Sequence, residues 1–263
     1  LSRNGSMVRG TTSTVAMPAR WLPVIEVTAA STAGPRKPVM RPDRAKRPKW
    51  EVISPSGAMR AILTESDTWS IAFLYIGTFG SFIGFSFAFS QILQINFVAG
   101  GQTAAQAALH AAQIAFVGPL LGSVARVYGG KLADRIGGAR VTVAAFAGMI
   151  LFGALLISAS TYHDHTGGAV DAATLACFIV GFVALFILSG IGNGSVYKMI
   201  PSIFEARSHA VVGSETDRLN WSRGMSGALI GFAGAIGALG GVGINLALRQ
   251  SYLSSGSATA AFW

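Results

Sequence analysis

Between Asp67 and Arg126 the chain carries no Asp, Glu, Lys or Arg. So long an uncharged stretch cannot clothe a surface in water. A helix crosses a hydrocarbon core about 30 Å thick with about 20 apolar residues, each rising about 1.5 Å. The stretch is therefore too long for one crossing and long enough for two. It turns at Ala99-Gly100-Gly101-Gln102-Thr103, which is polar and holds adjacent glycines. The sequence thus predicts spans over 69–97 and 105–127. Charge-free runs over 141–163, 172–197 and 224–248 add three more, each with room to tilt.

Composition agrees. Charged residues are 12% of the chain, against about 25% in ordinary globular proteins. Hydrophobic residues are 51%, which excludes disorder for most of the length. The lone Cys177 excludes an internal disulfide and a cysteine-based zinc site. The fold class expected is all-α and integral to the membrane.

Cytoplasmic loops of membrane proteins collect Lys and Arg. Expected loop 128–140 holds Lys131, Arg135 and Arg140, and expected loop 198–223 holds Lys198, Arg207, Arg218 and Arg223. The turns 98–104 and 162–171 hold none. The amino end is therefore expected in the cytoplasm and the carboxyl end outside. A cleavable signal peptide is not expected, since the first apolar segment starts near residue 69 and is far too long.

Residues 1–66 form a different segment, with eleven Lys/Arg against four acids and seven of the nine prolines. Its run Arg36-Lys37-Pro38, Arg41, Arg44, Lys46, Arg47 and Lys49 could meet anionic headgroups or nucleic acid. A solvated cytoplasmic linker obeying the positive-inside rule accounts for it, and no nucleic-acid partner is expected. The chain begins at Leu1 and residues 1–55 lack helical periodicity, so this tail is expected to be disordered or an artefact of a gene fragment or reading frame. Three regions follow: 1–66 as tail, 67–250 as helix bundle, and 251–263 as the truncated start of a final helix.

Enzyme motifs are missing: there is no Walker lysine loop, G-x-S-x-G or H-E-x-x-H. His163-Asp164-His165 could clip a metal, but two such histidines without further ligands read better as a polar outer loop. No catalytic residue, metal or cofactor is expected.

Arg126 stands apart, toward the inner end of the second span. On position alone it either snorkels to the cytoplasmic interface or faces a cavity. No Asp or Glu lies in any predicted span. A guanidinium in a cavity would then lack a fixed mate, and its planar fork of donors suits a planar oxyanion. On the first span Tyr75 and Phe79, four apart, share a face where rings and a hydroxyl could meet a flat anion. In the fifth span Gly227, Gly231, Gly234, Ala238 and Gly241 form one smooth face for close contact with a neighbour. In the fourth, Gly190-Ile191-Gly192-Asn193-Gly194-Ser195 puts glycines and polar groups at membrane depth, which suits a helix that bends or packs tightly.

Gly129-Gly130-Lys131-Leu132-Ala133-Asp134-Arg135-Ile136-Gly137-Gly138-Ala139-Arg140 resembles the cytoplasmic loop motif of the major facilitator superfamily. Three further stretches, 74–85, 190–201 and 231–241, resemble the nitrate/nitrite porter (NarK-type) family within it. The resemblance covers about 66–250. It implies a partial bundle, with the five spans similar to helices seven to eleven of twelve. It also implies a multi-pass protein of the inner (plasma) membrane, whose partners are lipid, nitrate, nitrite and an absent amino-terminal half.

By the same resemblance Arg126 falls on the substrate arginine and Tyr75 and Phe79 on the aromatic pair. Gly130, Asp134, Arg135, Gly137 and Arg140 fall on the loop motif, where Asp134 and Arg140 are expected to latch the cytoplasmic face. Asp134 is expected to meet a helix of the absent half, and Glu205 is a possible partner for Arg135 or Arg140. Asn193, Gly231, Gly234, Gly237 and Gly241 fall on the transport motifs. The implied activity is alternating access, with nitrate/nitrite exchange favoured over proton symport. The chain alone is expected to be an inactive half. A porter of another small anion, or a non-transporting fragment that binds other helices, are the rival classes.

Overall fold

The computed structural model describes residues 55–262 apart from 168, 169 and 212. The expectations placed on 1–54, the basic run included, lie outside the described residues. Among the described residues every regular element is helical, and five helices are long and apolar enough to cross a membrane.

Helix α1 (Pro55–Leu63) seats Ala58 and Ile62, one turn apart, in a buried cluster with Met225 and Leu229. That apolar pair makes the end of the expected tail helical. The first span, Ser66–Ala99, has three parts: α2 (Ser66–Tyr75), a π turn (Ile76–Gly80) and α3 (Ser81–Ala99). A π turn inserts an extra residue into the helical ladder and is held where outside groups satisfy the displaced carbonyls. Here hydroxyls do so. Thr78 donates to the Leu74 carbonyl at 3.0 Å, Ser81 to Gly77, and Ser189 of the fourth span to Thr78.

The expected turn at 99–103 is present. Gly101 takes φ +94°, and Thr103 with Gln106 forms a reciprocal cap on α4 (Ala104–Ala115). The second span breaks at Phe116, between α4 and α5 (Val117–Ile136). Pro119 is the cause, since it has no N–H for the Ala115 carbonyl and its ring crowds that position.

The remaining long helices are α6 (Gly138–Thr166), α7 (Ala172–Ser208) and α8 (Glu215–Ser255), with a terminal turn α9 (Thr259–Phe262). Asp171 caps α7, Ser214 and Asp217 cap α8 reciprocally, and Gly256 at φ +71° ends α8. Here the helix ends depart from expectation. The loop expected over 128–140 shrinks to Gly137, and most of the loop expected over 198–223 is helix. Likewise His163, Asp164 and His165 lie on the last turns of α6, where the Ser257 and Thr259 hydroxyls donate to Asp164. Helical hydrogen bonds are satisfied within the segment in lipid and in water alike, so a helix can continue past a membrane edge. Charge marks the edge; only Gly137, at φ +93°, marks the end of α5.

In lipid, burying apolar surface gives little drive for one helix to meet another, so close packing must supply it. Two buried clusters show this. One gathers Phe89, Leu93, Leu156, Phe182 and Phe186. The other gathers Tyr75, Val196, Ile200, Phe204, Met225 and Leu229. Glycines bring the backbones together. Gly118, Gly122 and Gly129 of α5 lie against Phe186, Gly190 and Ile191 of α7, and Gly194 of α7 lies against the Arg126 main chain. Gly80 and Gly84 of the first span lie against Gly237, Gly240 and Ile244 of α8. Hydroxyls fasten α6 to α7: Thr142 donates to Ser195 at 3.1 Å, and Ser195 to the Gly138 carbonyl at 2.7 Å.

Candidate functional site

Arg126 sits on α5 ten residues before Ile136, about 15 Å along the axis from the helix end. Its position is fixed from behind. A Cβ built on Gly194 would collide with the Arg126 carbonyl oxygen and would lie 3.0 Å from the Gly130 nitrogen. Only glycine at 194 allows α7 so near, and that contact sets where the Arg126 side chain leaves the helix.

The side chain is half-buried. Its guanidinium carbon lies over the Tyr197 ring, 5.4 Å from the centroid. The Tyr75 hydroxyl of the first span is within electrostatic reach of it. Tyr75 is 3% exposed, and its ring centroid is 5.8 Å from that of Phe79 at an interplanar angle of 51°. Tyr75 immediately precedes the π turn and Phe79 lies within it, so the turn sets their relative rotation. Gly237 of α8 closes the back of the pair: a Cβ there would be 3.2 Å from Phe79 Cδ1 and 3.3 Å from Tyr75 Cδ1. Three expected residues, Arg126, Tyr75 and Phe79, thus come together from two spans, with Gly237 behind them.

Asn193 lies one turn from Tyr197 and is buried at 2% exposure. Its Oδ1 has no hydrogen-bond partner among the described residues. An amide in this state costs about 1–3 kcal/mol of desolvation, which a polar ligand could offset.

The loop motif resolves into separate duties. Gly130 makes only ordinary contact with α7, and its neighbour Gly129 makes the close one. Asp134 pairs with Lys198 at 3.2 Å, so it has a partner within this chain rather than only in an absent half. Arg135 ends α5 and Arg140 opens α6, both exposed. Nearby, Arg207 of α7 bridges Glu65 and Asp67, tying α7 to the start of the first span.

The expected glycine face of α8 is only partly used among the described residues: Gly241 is packed. A Cβ on Gly227, Gly231 or Gly234 would meet nothing within 4 Å. The packed face is Gly237, Gly240 and Gly241, turned toward Tyr75, Ile76, Gly80 and Ile83. A groove of about 660 Å³ on the far side of α3 and α8, lined by Ile83, Phe87, Asn245, Leu246 and Arg249, does not include Arg126.

Sequence reasoning missed Tyr197 as a site residue. Its one signal was register, four residues after Asn193 and three after Gly194, on a helix whose contact with α5 was not visible.

No protein-family model matches the chain. Its relatives do speak. The nitrate/nitrite transporter NarU of Salmonella typhimurium is 34% identical over 200 residues, covering 74% of this chain and 40% of NarU. NarU of Escherichia coli is 33% identical over 200 residues, with the same coverage. The nitrite extrusion protein of Bacillus subtilis is 28% identical over 204 residues, covering 78% of this chain and 42% of that protein. The chain spans about two-fifths of the length of these relatives. With five apolar helices and this similarity, the chain is a multi-pass membrane protein homologous to the NarU/NarK nitrate/nitrite transporter family.

Proposed function

We propose that this chain is the carboxyl-terminal half of a nitrate/nitrite exchanger of the major facilitator type, in the plasma membrane with its amino end in the cytoplasm. The company Arg126 keeps supports this. A half-buried guanidinium at membrane depth has two phenols as neighbours and no carboxylate in the predicted spans. A permanent cation among neutral groups attracts an anion, and its coplanar donors match a planar oxyanion better than a tetrahedral one. Tyr75 donates its hydroxyl to that anion, and Phe79 bounds the slot with its ring. The printed names of the relatives point to the same two ions.

Transport follows by rocking two halves about the site, so that it opens to one side of the membrane at a time. Asp134 and Lys198 sit at the inner end, where the charged latch would close. No bond is made or broken, so the chain is a porter rather than an enzyme, and no cofactor, metal or catalytic residue enters. Exchange is favoured over proton symport because no carboxylate lies in the charge-free spans read from the sequence. The titratable His110 pairs with Gln102 at the outer turn, about 24 Å along the second span from Arg126. The missing amino-terminal half completes the pocket, and lipid surrounds the rest.

The test is counterflow in vesicles containing this chain joined to the sequence encoded upstream of Leu1. Nitrite-loaded vesicles should take up labelled nitrate, and Arg126→Lys should weaken nitrate affinity about tenfold or more by losing the fork. Unchanged affinity in Arg126→Lys would refute the pocket. An upstream sequence lacking further membrane helices would refute the half-transporter assignment. The chain alone should show no saturable uptake, and robust uptake would overturn that expectation.

A further inference from the structure

We infer that Tyr197 is a positioning residue for Arg126: its ring holds the guanidinium in place without neutralising it. This rests on the anion-site reading above and adds to it the group that orients the cation. A half-buried arginine side chain has several rotatable bonds and no carboxylate near enough to fix it, yet an anion site needs its fork held steady. A carboxylate in place of Tyr197 would fix the fork but occupy its paired donors and cancel its charge, leaving nothing for the anion. An aromatic face attracts the cation through its quadrupole while carrying no net charge. The guanidinium carbon lies over that face at 5.4 Å, within the range of such contacts.

The backbone supports the same assignment. Gly194, three residues before Tyr197, is the point where α7 touches the Arg126 main chain. One helix therefore fixes both ends of the arginine, its main chain through Gly194 and its head through Tyr197. Tyr75 approaches from the first span, so movement of that span changes the arginine's surroundings while α7 keeps its hold.

The experiment takes this chain joined to the sequence encoded upstream of Leu1 in lipid nanodiscs, labels its arginines with phenylglyoxal and follows the Arg126 peptide by mass spectrometry, with and without nitrate. Wild type is compared with Tyr197→Phe, which keeps the ring, and Tyr197→Leu, which does not. Without nitrate, Arg126 should label several-fold faster in Tyr197→Leu and at the wild-type rate in Tyr197→Phe. The nitrate concentration that half-protects Arg126 should rise about 3- to 30-fold in Tyr197→Leu only. Equal labelling and protection in all three would overturn the inference, as would Tyr197→Phe behaving like Tyr197→Leu, which would make the hydroxyl the active part. If nitrate fails to protect wild type, the anion-site reading fails. The nitrate-free labelling rates then still decide whether the ring holds the guanidinium. Arginines elsewhere should label equally in all variants, which reports that each has folded.

Discussion

Replacing Gly194 with Ala should damage the packing of the spans and the site together, and the geometry says how much. The new Cβ would lie 2.9 Å from the Arg126 carbonyl carbon and 3.0 Å from the Gly130 nitrogen, where ordinary contacts fall between 3.4 and 4 Å. Every one of these atoms is backbone, so no side chain can swing aside. The Arg126 carbonyl oxygen is nearer still, so α5 must retreat from α7 by about 1 Å or more, and overpacking of this kind costs about 1–3 kcal/mol. The retreat also carries Arg126 away from Tyr197 and Tyr75, so ligand binding should fall as well as stability. Gly231→Ala is the control, because nothing lies within 4 Å of its Cβ. Thermal unfolding of the purified chain, read by circular dichroism, should show a clear fall in midpoint for Gly194→Ala and little change for Gly231→Ala. Equal midpoints for Gly194→Ala and wild type, or the larger loss at Gly231, would refute the packing described.

Asn193→Leu should leave thermal stability unchanged or raise it by about 1 kcal/mol, since it removes a buried unpaired acceptor. Nitrate protection of Arg126 should weaken in the same variant if the amide faces the ligand, and a stability loss above about 2 kcal/mol would show that Asn193 is instead a structural bond. Arg207→Gln removes the bridge to Glu65 and Asp67. All three side chains are more than a third exposed, so the cost should be about 1 kcal/mol or less and should shrink in high salt; faster amide exchange over residues 64–68 is the local readout. Asp171, the cap of α7, is held below the usual carboxylate range by hydrogen bonds from Thr174, side chain first and then backbone. A lowered folded value means the cap's contribution is present above the ordinary carboxylate pKa and is lost as pH falls through the lowered one. Hydrogen exchange at residues 172–175 should therefore show extra fraying in acid, and Asp171→Asn should remove that acid dependence.

The five crossings were legible because charge cannot sit in hydrocarbon: the absence of charge from Thr68 to Ala125 is a statement about solvent. Helix ends were not legible by the same rule, since Lys131, Asp134 and Arg135 extend a helix in water as readily as they would line a loop. Gly137 was visible as a motif glycine, but its positive φ was not. Helix α8 shows why packing faces resist sequence reading. It carries glycine on every side, and only the partner decides which side is used; Gly231 and Gly234 fitted the smooth periodic face, while Gly237 and Gly240 meet the first span. Arg126, Tyr75 and Phe79 were legible as unusual residues at membrane depth. Tyr197 was not, because its role depends on how α5 crosses α7.

The single residue joining α5 to α6 leaves no slack. Two long rods linked through Gly137, a reach of about 3.8 Å between successive Cα atoms, and both seated on α7 must turn as one slab. In the rocking proposed above, this trio would move as a rigid block. Arg126 is thereby carried on that block, while Tyr75, with the π turn at its shoulder, sits on a separate span that Ser189 of α7 ties to it through Thr78.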